Sequence, residues 1–257
     1  MKQIEGGVTA AKGFYAAGTA ANIKYKDRMD MALIYSEAPC RVAGTFTTNV
    51  VKAAPVLWDK DIVDNSPYAQ AVIVNAGIAN ACTGKQGMDY CRQEARTASG
   101  LLGIPENSVL VGSTGVIGMQ LPMDRINEGI RKLAAAKDNT LEAGTTASRA
   151  IMTTDTVNKE IAVQIELDGR KVTVGGMSKG SGMIHPNMCT MLAYITTDAL
   201  ISKTLLQEAL SSSIVDSYNM ISVDGDTSTN DTCLVLANGL AGNDEITQKG
   251  GAYDKFC

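Results

Sequence analysis

The chain has 257 residues, 45% hydrophobic, 19% charged and 5% aromatic, values of a globular protein that exclude a disordered or fibrous chain. Its 27 acidic and 23 basic residues leave a net charge of −4 with no basic run, which argues against a nucleic-acid partner. No apolar stretch approaches the ~18–20 residues of a membrane helix, and the opening MKQIEGGV lacks a signal-peptide core, so no membrane association and a cytoplasmic location are expected.

The elements are read in chain order. Residues 31–35 predict a strand, and the continuous apolar run 71–75 predicts a buried one. Residues 88–102 predict a helix closed by Gly103 and Pro105, and 108–112 a short strand. Pro122 opens a second helix with Met123, Ile126, Ile130 and Leu133 on one face; 140–151 is a third. Residues 161–167 and 171–174 alternate around Asp168-Gly169, a hairpin signature. A glycine-rich loop is expected over 175–186, a strand over 191–196, a helix over 202–220, a polar loop over 224–231 and a strand over 233–237. The sum is a mixed α/β chain with long polar loops. Residues 250–257 read as the opening of a helix without a stop signal, so the chain is expected to be truncated at its C-terminal end.

Local motifs give little chemistry on their own. The six cysteines (Cys40, Cys82, Cys91, Cys189, Cys233, Cys257) form no CxxC pair and fit no zinc template, so free, mostly buried thiols and no metal are expected. The single histidine, His185, precedes Pro186 in a loop. Gly176-Met177-Ser178-Lys179-Gly180 matches the nucleophile elbow of serine hydrolases, but the helix it needs is absent and no acid lies between Ser178 and His185. Asp224-Gly225-Asp226 starts like a calcium loop and fails at Thr229 and Val235. There is no Walker loop and no dinucleotide fingerprint, so no cofactor is indicated. Residues 112–118 (GSTGVIG) read as a glycine-rich turn able to receive an anion or oxyanion. By position alone Thr190 is a threonine starting a strand and Lys179 a solvated loop lysine.

Six segments taken together say more. These are 7–14 (GVTAAKGF), 75–84 (NAGIANACTG), 113–118 (STGVIG), 152–156 (MTTDT), 179–192 (KGSGMIHPNMCTML) and 224–232 (DGDTSTNDT). In this order and spacing the chain resembles the ornithine acetyltransferase family, the bifunctional glutamate N-acetyltransferases of arginine biosynthesis. The resemblance implies layered sheets packed between helices, the fold of the self-cleaving aminopeptidases and ornithine acetyltransferases. It implies a precursor cut between Cys189 and Thr190 into an α chain, 1–189, and a β chain beginning at 190, with 190–257 the start of an incomplete C-terminal part. It implies association of αβ pairs, as a heterotetramer.

The same resemblance makes Thr190 the nucleophile of a ping-pong transfer from N-acetylornithine to glutamate, with acetyl-CoA a further donor in some members and no cofactor. Its freed α-amine, with a reference pKa of about 7.7–8.0, would be the base, so no catalytic histidine is needed. Thr114 and Gly115 match the oxyanion pair, and Thr153 and Lys179 match substrate-binding positions. Cys189 stands where the family usually has alanine, Asn158 and His185 differ from the usual pattern, and Ala76 and Ile78 replace small polar residues, Ile78 being expected to reshape a pocket wall. The family's further binding residues, a glutamate among them, lie beyond Cys257, so the isolated chain is expected to be inactive. Two rivals remain: an N-terminal-nucleophile amidohydrolase or aminopeptidase of the same fold, and a binding protein that does not cleave.

Overall fold

The computed structural model describes residues 1–183 and 191–257, and its architecture turns on one long strand. The chain opens with β1 (Lys2–Ile4), β2 (Phe14–Thr19) and β3 (Met31–Phe46), the last of 16 residues. The first half of β3 pairs antiparallel with β2 and with β4 (Ala69–Ile78). Its second half pairs antiparallel with β9 (Thr232–Ala237). The register against β4 shifts between Tyr35 and Cys40, the stretch that holds Pro39. Proline has no N–H to give to a ladder, so it sits at edges and irregularities; here it marks the place where β3 leaves one sheet and enters another. The sequence reading ended this strand at Tyr35 because the polar and proline-containing residues 36–39 hide its continuation.

The first sheet runs β2-β3-β4-β5, with β5 (Val109–Val116) parallel to β4. The second adds β6 (Lys159–Leu167), β7 (Arg170–Lys179) and β8 (Leu192–Thr197), in the order β1-β6-β7-β8-β9-β3. The predicted hairpin joins β6 to β7: Asp168 and Gly169 both have positive φ, 51° and 72°, as a two-residue turn with the twist of its strands requires. The glycine-rich loop expected from 175 starts only after Lys179, because residues 175–179 complete the β7 ladder to β6 and β8. The expected turn at 112–118 is likewise mostly strand, paired to β4 as far as Val116.

Alternation along the strands sorts their side chains into layers. Ile34, Val42, Val72, Val74, Leu234 and Leu236 meet between the two sheets, together with Phe14 and Tyr194. The opposite faces of the same strands, through Leu33, Ile73 and Val109, pack on α2 (Gly84–Leu102) and α3 (Met123–Ala136). On the far side Val172, Cys233 and Val235 pack on α5 (Lys203–Val215) and α6 (Ala252–Phe256). The result is helices, sheet, sheet, helices, as the resemblance implied.

Two further helices flank the first sheet. α1 (Ala54–Asn65) packs on β5, where the Trp58 indole N–H donates to the Val109 carbonyl at 3.0 Å. α4 (Leu141–Ala150) packs on β2 and starts at Thr140, whose side chain accepts from Ala143 N. The helix expected over 202–220 is α5 followed by a separate 3-10 turn at Tyr218–Met220; Ser202 caps its start. Cys40, Cys91 and Cys233 are buried free thiols, while Cys82 and Cys257 are free and exposed.

Candidate functional site

His185, Cys189 and Thr190 lie outside the described residues. Of the other residues singled out from sequence, Thr114, Gly115, Thr153 and Lys179 converge on one cavity of about 340 Å³ and line it. Lys24 and Tyr25, Gly77 and Ala79, and 228–230 complete much of the wall.

One side of the cavity is the end of the parallel β4–β5 pair. Gly77 and Gly115 stand opposite each other in the register, with φ of +115° and +133°. A Cβ on Gly115 would sit 2.2 Å from the Gly77 carbonyl carbon, so only glycine permits this approach. A polar network ties the end of the pair to the loop before β9. Ser113 Oγ donates to Asn75 Oδ1 at 2.6 Å, and Asn230 Nδ2 donates to the carbonyls of Ala79 and Ser113 at 2.6 and 2.8 Å. Ile78 is not part of this wall. It is buried in the cluster under α2 and α3, and its neighbours Gly77 and Ala79 face the cavity instead, so the expected reshaping does not occur.

Lys179 ends β7 and is only 3% exposed, which corrects the solvated-lysine reading. Its Nζ donates to Thr114 Oγ1 at 3.3 Å, a bond between the two sheets. Burial lowers its pKa, and the Asp155 carboxylate opposes that shift. Asp155 follows α4 in a loop. Burial pushes its carboxyl up, but the Lys159 ammonium at 2.7 Å and the N–H groups of Gly180 and Thr153 outweigh it, and the net pKa is lowered. Thr153 is held in turn by Arg28, whose guanidinium donates to its carbonyl at 2.8 Å and to that of Met152 at 2.6 Å. Asn158 turns inward to Ser148 Oγ at 3.0 Å rather than into this cavity.

Asp231 is the residue the sequence reading passed over. The sequence places it in the polar 224–232 segment and assigns it no role. It is buried, Oδ1 accepts from Met191 N–H at 3.0 Å, and burial pushes its carboxyl up to about 8 against the pull of that N–H, of Ser228 and of Lys179. Ser178 lies within β7 rather than at a strand-to-helix turn, so the nucleophile-elbow geometry is absent. Among the described residues no three His, Cys, Asp or Glu side chains converge as a metal would need, and no helix is long and apolar enough to cross a membrane.

Chemically, the cavity wall offers a buried ammonium, a threonine hydroxyl and open backbone at two facing glycines. That set suits an anionic or carbonyl-bearing small molecule. The fold class comes first: the l-aminopeptidase d-ala-esterase/amidase of Ochrobactrum anthropi, described as a variant of the Ntn hydrolase fold, superposes with a TM-score of 0.56 over 93% of this chain and 75% of its own, at 13% identity. That likeness is one of fold alone.

The family is closer. The ArgJ family model matches residues 15–257, and the chain belongs to the ArgJ family. The arginine biosynthesis bifunctional protein ArgJ of Symbiobacterium thermophilum is 52% identical over 259 residues, covering 100% of this chain and 64% of its own. The chain thus spans less than two thirds of that relative's length. The crystal structure of the Bacillus halodurans ArgJ protein matches with a TM-score of 0.68 and 44% identity, covering 74% of this chain and 97% of that one. The ornithine acetyltransferase of Mycobacterium tuberculosis, solved with ornithine, matches with a TM-score of 0.66 and 39% identity, covering 73% and 96%.

Proposed function

We propose that this chain belongs to a self-cleaving acetyltransferase that moves an acetyl group from N-acetylornithine to glutamate through Thr190, with acetyl-CoA a further donor. The cut falls between Cys189 and Thr190, and segments 1–189 and 190–257 stay together. The observation that carries the reading is the convergence of Thr114, Gly115, Thr153 and Lys179 on one cavity. Met191, the residue after Thr190, is anchored to Asp231, whose neighbours 228–230 line that cavity.

Each group has a physical task. The α-amine freed by cleavage takes the proton from Thr190 Oγ as that oxygen bonds to the acetyl carbonyl carbon. The C–N bond of N-acetylornithine then breaks and ornithine leaves with the proton. Glutamate's amine repeats the steps in reverse and carries the acetyl group away. Lys179 donates to the Thr114 oxygen, so the Thr114 O–H remains a donor for the oxyanion. The Lys179 ammonium suits the carboxylate of an amino-acid substrate.

One further observation is compatible with the cut. β8 and β9 both follow Thr190, and they are laddered between β7 and β3, so hydrogen bonds hold the two segments together without a peptide bond.

The test is acetyl capture. Purified protein incubated with N-acetylornithine is expected to gain one acetyl group on the segment that starts at Thr190, and to lose it as N-acetylglutamate when glutamate is added. Free acetate released without an acceptor would favour the amidohydrolase instead. No acetyl on Thr190 under any condition would remove the reading.

A further inference from the structure

Beside the cavity lies a second depression that the acetyl-transfer reading leaves without a task. It is an open groove of about 580 Å³, lined by Arg28, Arg149, Thr153, Asp155 and Thr156 among others, and Thr153 also lines the cavity. The chain carries a net charge of −4, yet this wall holds two guanidiniums. The one acid among its described lining residues, Asp155, is already committed. Its Oδ1 accepts from Lys159 and from Gly180 N–H, and its Oδ2 accepts from Thr153 N–H.

The guanidiniums are not committed in the same way. Arg28 gives its Nη2 group to the Met152 and Thr153 carbonyls at 2.6 and 2.8 Å, which fixes the side chain. Its Nε and Nη1 donors have no partner among the described residues. Arg149 stands in the last turn of α4, where a cation complements the helix dipole. That role uses its charge and none of its N–H donors, and its side chain has no hydrogen bond or ion pair among the described residues.

The loop that carries Arg28 is held from below. The buried Asp30 side chain accepts from the N–H groups of Ala21 and Ile23, both at 2.6 Å, and Arg125 donates to the Asn22 carbonyl at 2.6 Å. The Tyr25 ring contacts both of the loop's nearest cations: its centroid is 4.8 Å from Lys24 Nζ and 5.8 Å from Arg28 Cζ. Lys24 and Tyr25 line the cavity and Arg28 lines the groove, so a cationic rim runs from one to the other. Donors fixed before binding lose little freedom when a ligand arrives.

We infer that the groove lined by Arg28 and Arg149 is a phosphate-binding site, filled by a free phosphate or by the phosphate handle of a larger ligand whose other end reaches the cavity. The planar fork of a guanidinium matches phosphate oxygens, and two forks with threonine hydroxyls beside them suit a group with more charge and more oxygens than one carboxylate. Both sources present the same oxygens to the same donors. A handle has a further consequence, because Thr153 is common to groove and cavity: a thioester donor held by its phosphates would have its acyl end at the acetyl-transfer wall. That arm rests on the acetyltransferase reading above; phosphate binding does not.

The experiment is calorimetric titration of the purified protein with inorganic phosphate, pyrophosphate and coenzyme A. It compares wild type, Arg149→Ala and Arg170→Ala, the last removing an exposed arginine at the opposite end of the β6–β7 hairpin. Pyrophosphate is expected to bind the wild type, to bind Arg149→Ala about 10-fold or more weakly, as loss of a charge-assisted contact implies, and to bind Arg170→Ala as it binds wild type. Coenzyme A binding more tightly than pyrophosphate, with the same loss in Arg149→Ala, identifies the handle. Coenzyme A binding no better than pyrophosphate identifies the free ion. No binding of any probe, or equal losses in the two variants, overturns the site. Should Arg149→Ala not fold, phenylglyoxal labelling of the wild type reads the same point: pyrophosphate protecting Arg28 and Arg149 but not Arg170 supports the site, and equal labelling with and without pyrophosphate overturns it. Acetyl capture on Thr190 without phosphate binding removes this inference alone; Arg149-dependent binding without acetyl capture removes the acetyltransferase reading alone.

Discussion

Strand β5 has the buried Asp59 carboxyl of α1 against its middle and the buried Lys179 ammonium of β7 against its cavity end, and the carboxyls near these two places, Asp59 and Asp155, shift in opposite directions. Behind the middle, Asp59 of α1 accepts from Val111 N–H at 2.7 Å through one oxygen, and the other oxygen has no partner among the described residues. Glu94 of α2 lies nearby with both oxygens unpartnered, and burial together with the Asp59 charge pushes it up to about 8. Burial likewise holds the Asp59 carboxyl well above the usual carboxylate range. Around the cavity, Asp155 is also buried, yet its pKa is lowered. The difference is the company. Asp155 has Lys159 at 2.7 Å and two backbone N–H groups; Asp59 has one N–H and, among the described residues, no cation bonded to it. Burial raises a carboxyl's pKa, and a cation in direct contact together with backbone N–H groups can outweigh that shift; Asp231, which has Lys179 acting on it and one N–H, is still raised. Lys159 is in contact with the acid by the cavity, and the two acids behind the strand have raised pKa values.

Four changes would break or sharpen this contrast. The largest effect is expected from Lys179→Met, which removes the ammonium from the cavity wall. Acetyl transfer should fall by about 10²–10³-fold, the loss typical of removing one preorganised donor, and a variant with unimpaired transfer would detach Lys179 from the site. Next comes Gly115→Ala. Its φ of +133° and the 2.2 Å approach to Gly77 leave no room for a methyl, and backbone strain of this kind costs about 1–3 kcal/mol; a denaturant melt reads the loss of stability.

Glu94→Gln comes third and tests the acids behind β5. A raised carboxyl stabilises the fold fully below its unfolded pKa of about 4.3. That contribution is lost as pH rises through the folded value of about 8. Wild-type stability should therefore decline between those values, with Asp231 adding to the same slope. Glu94→Gln should flatten the decline when melts are compared at mildly acidic and mildly alkaline pH. The smallest effect is expected from Lys159→Ala. The lysine side chain is 43% exposed, so losing its bond to Asp155 should cost no more than about 1 kcal/mol, and the Asp155 carboxyl, seen by NMR titration, should rise.

The same contrast explains what the sequence could and could not disclose. The hairpin at Asp168-Gly169 and the helix faces of α3 and α4 are local, and local chemistry encodes them. α1 was missed because Asp59 interrupts its apolar stripe of Ala54, Pro55, Val56, Ile62 and Val63 with a carboxyl that only tertiary burial explains. The far half of β3 was missed because it pairs with β9, a strand nearly two hundred residues later. Lys179 looked solvated because Thr114, Asp155 and Asp231, which surround it, are all distant in the chain. Thr114, Gly115 and Thr153 came from resemblance, not from periodicity or spacing, and the cavity then brought them together. Asp231 had no local signal; what marks it is its bond to the residue after Thr190, and that appears only once β8 and β9 are paired.

The most direct measurement is the intact mass of the purified protein beside a Thr190→Ala control. The account predicts two species in the wild type, divided between Cys189 and Thr190 and co-purifying, and a single species in the control. A single uncut chain of 27.0 kDa in both would contradict it.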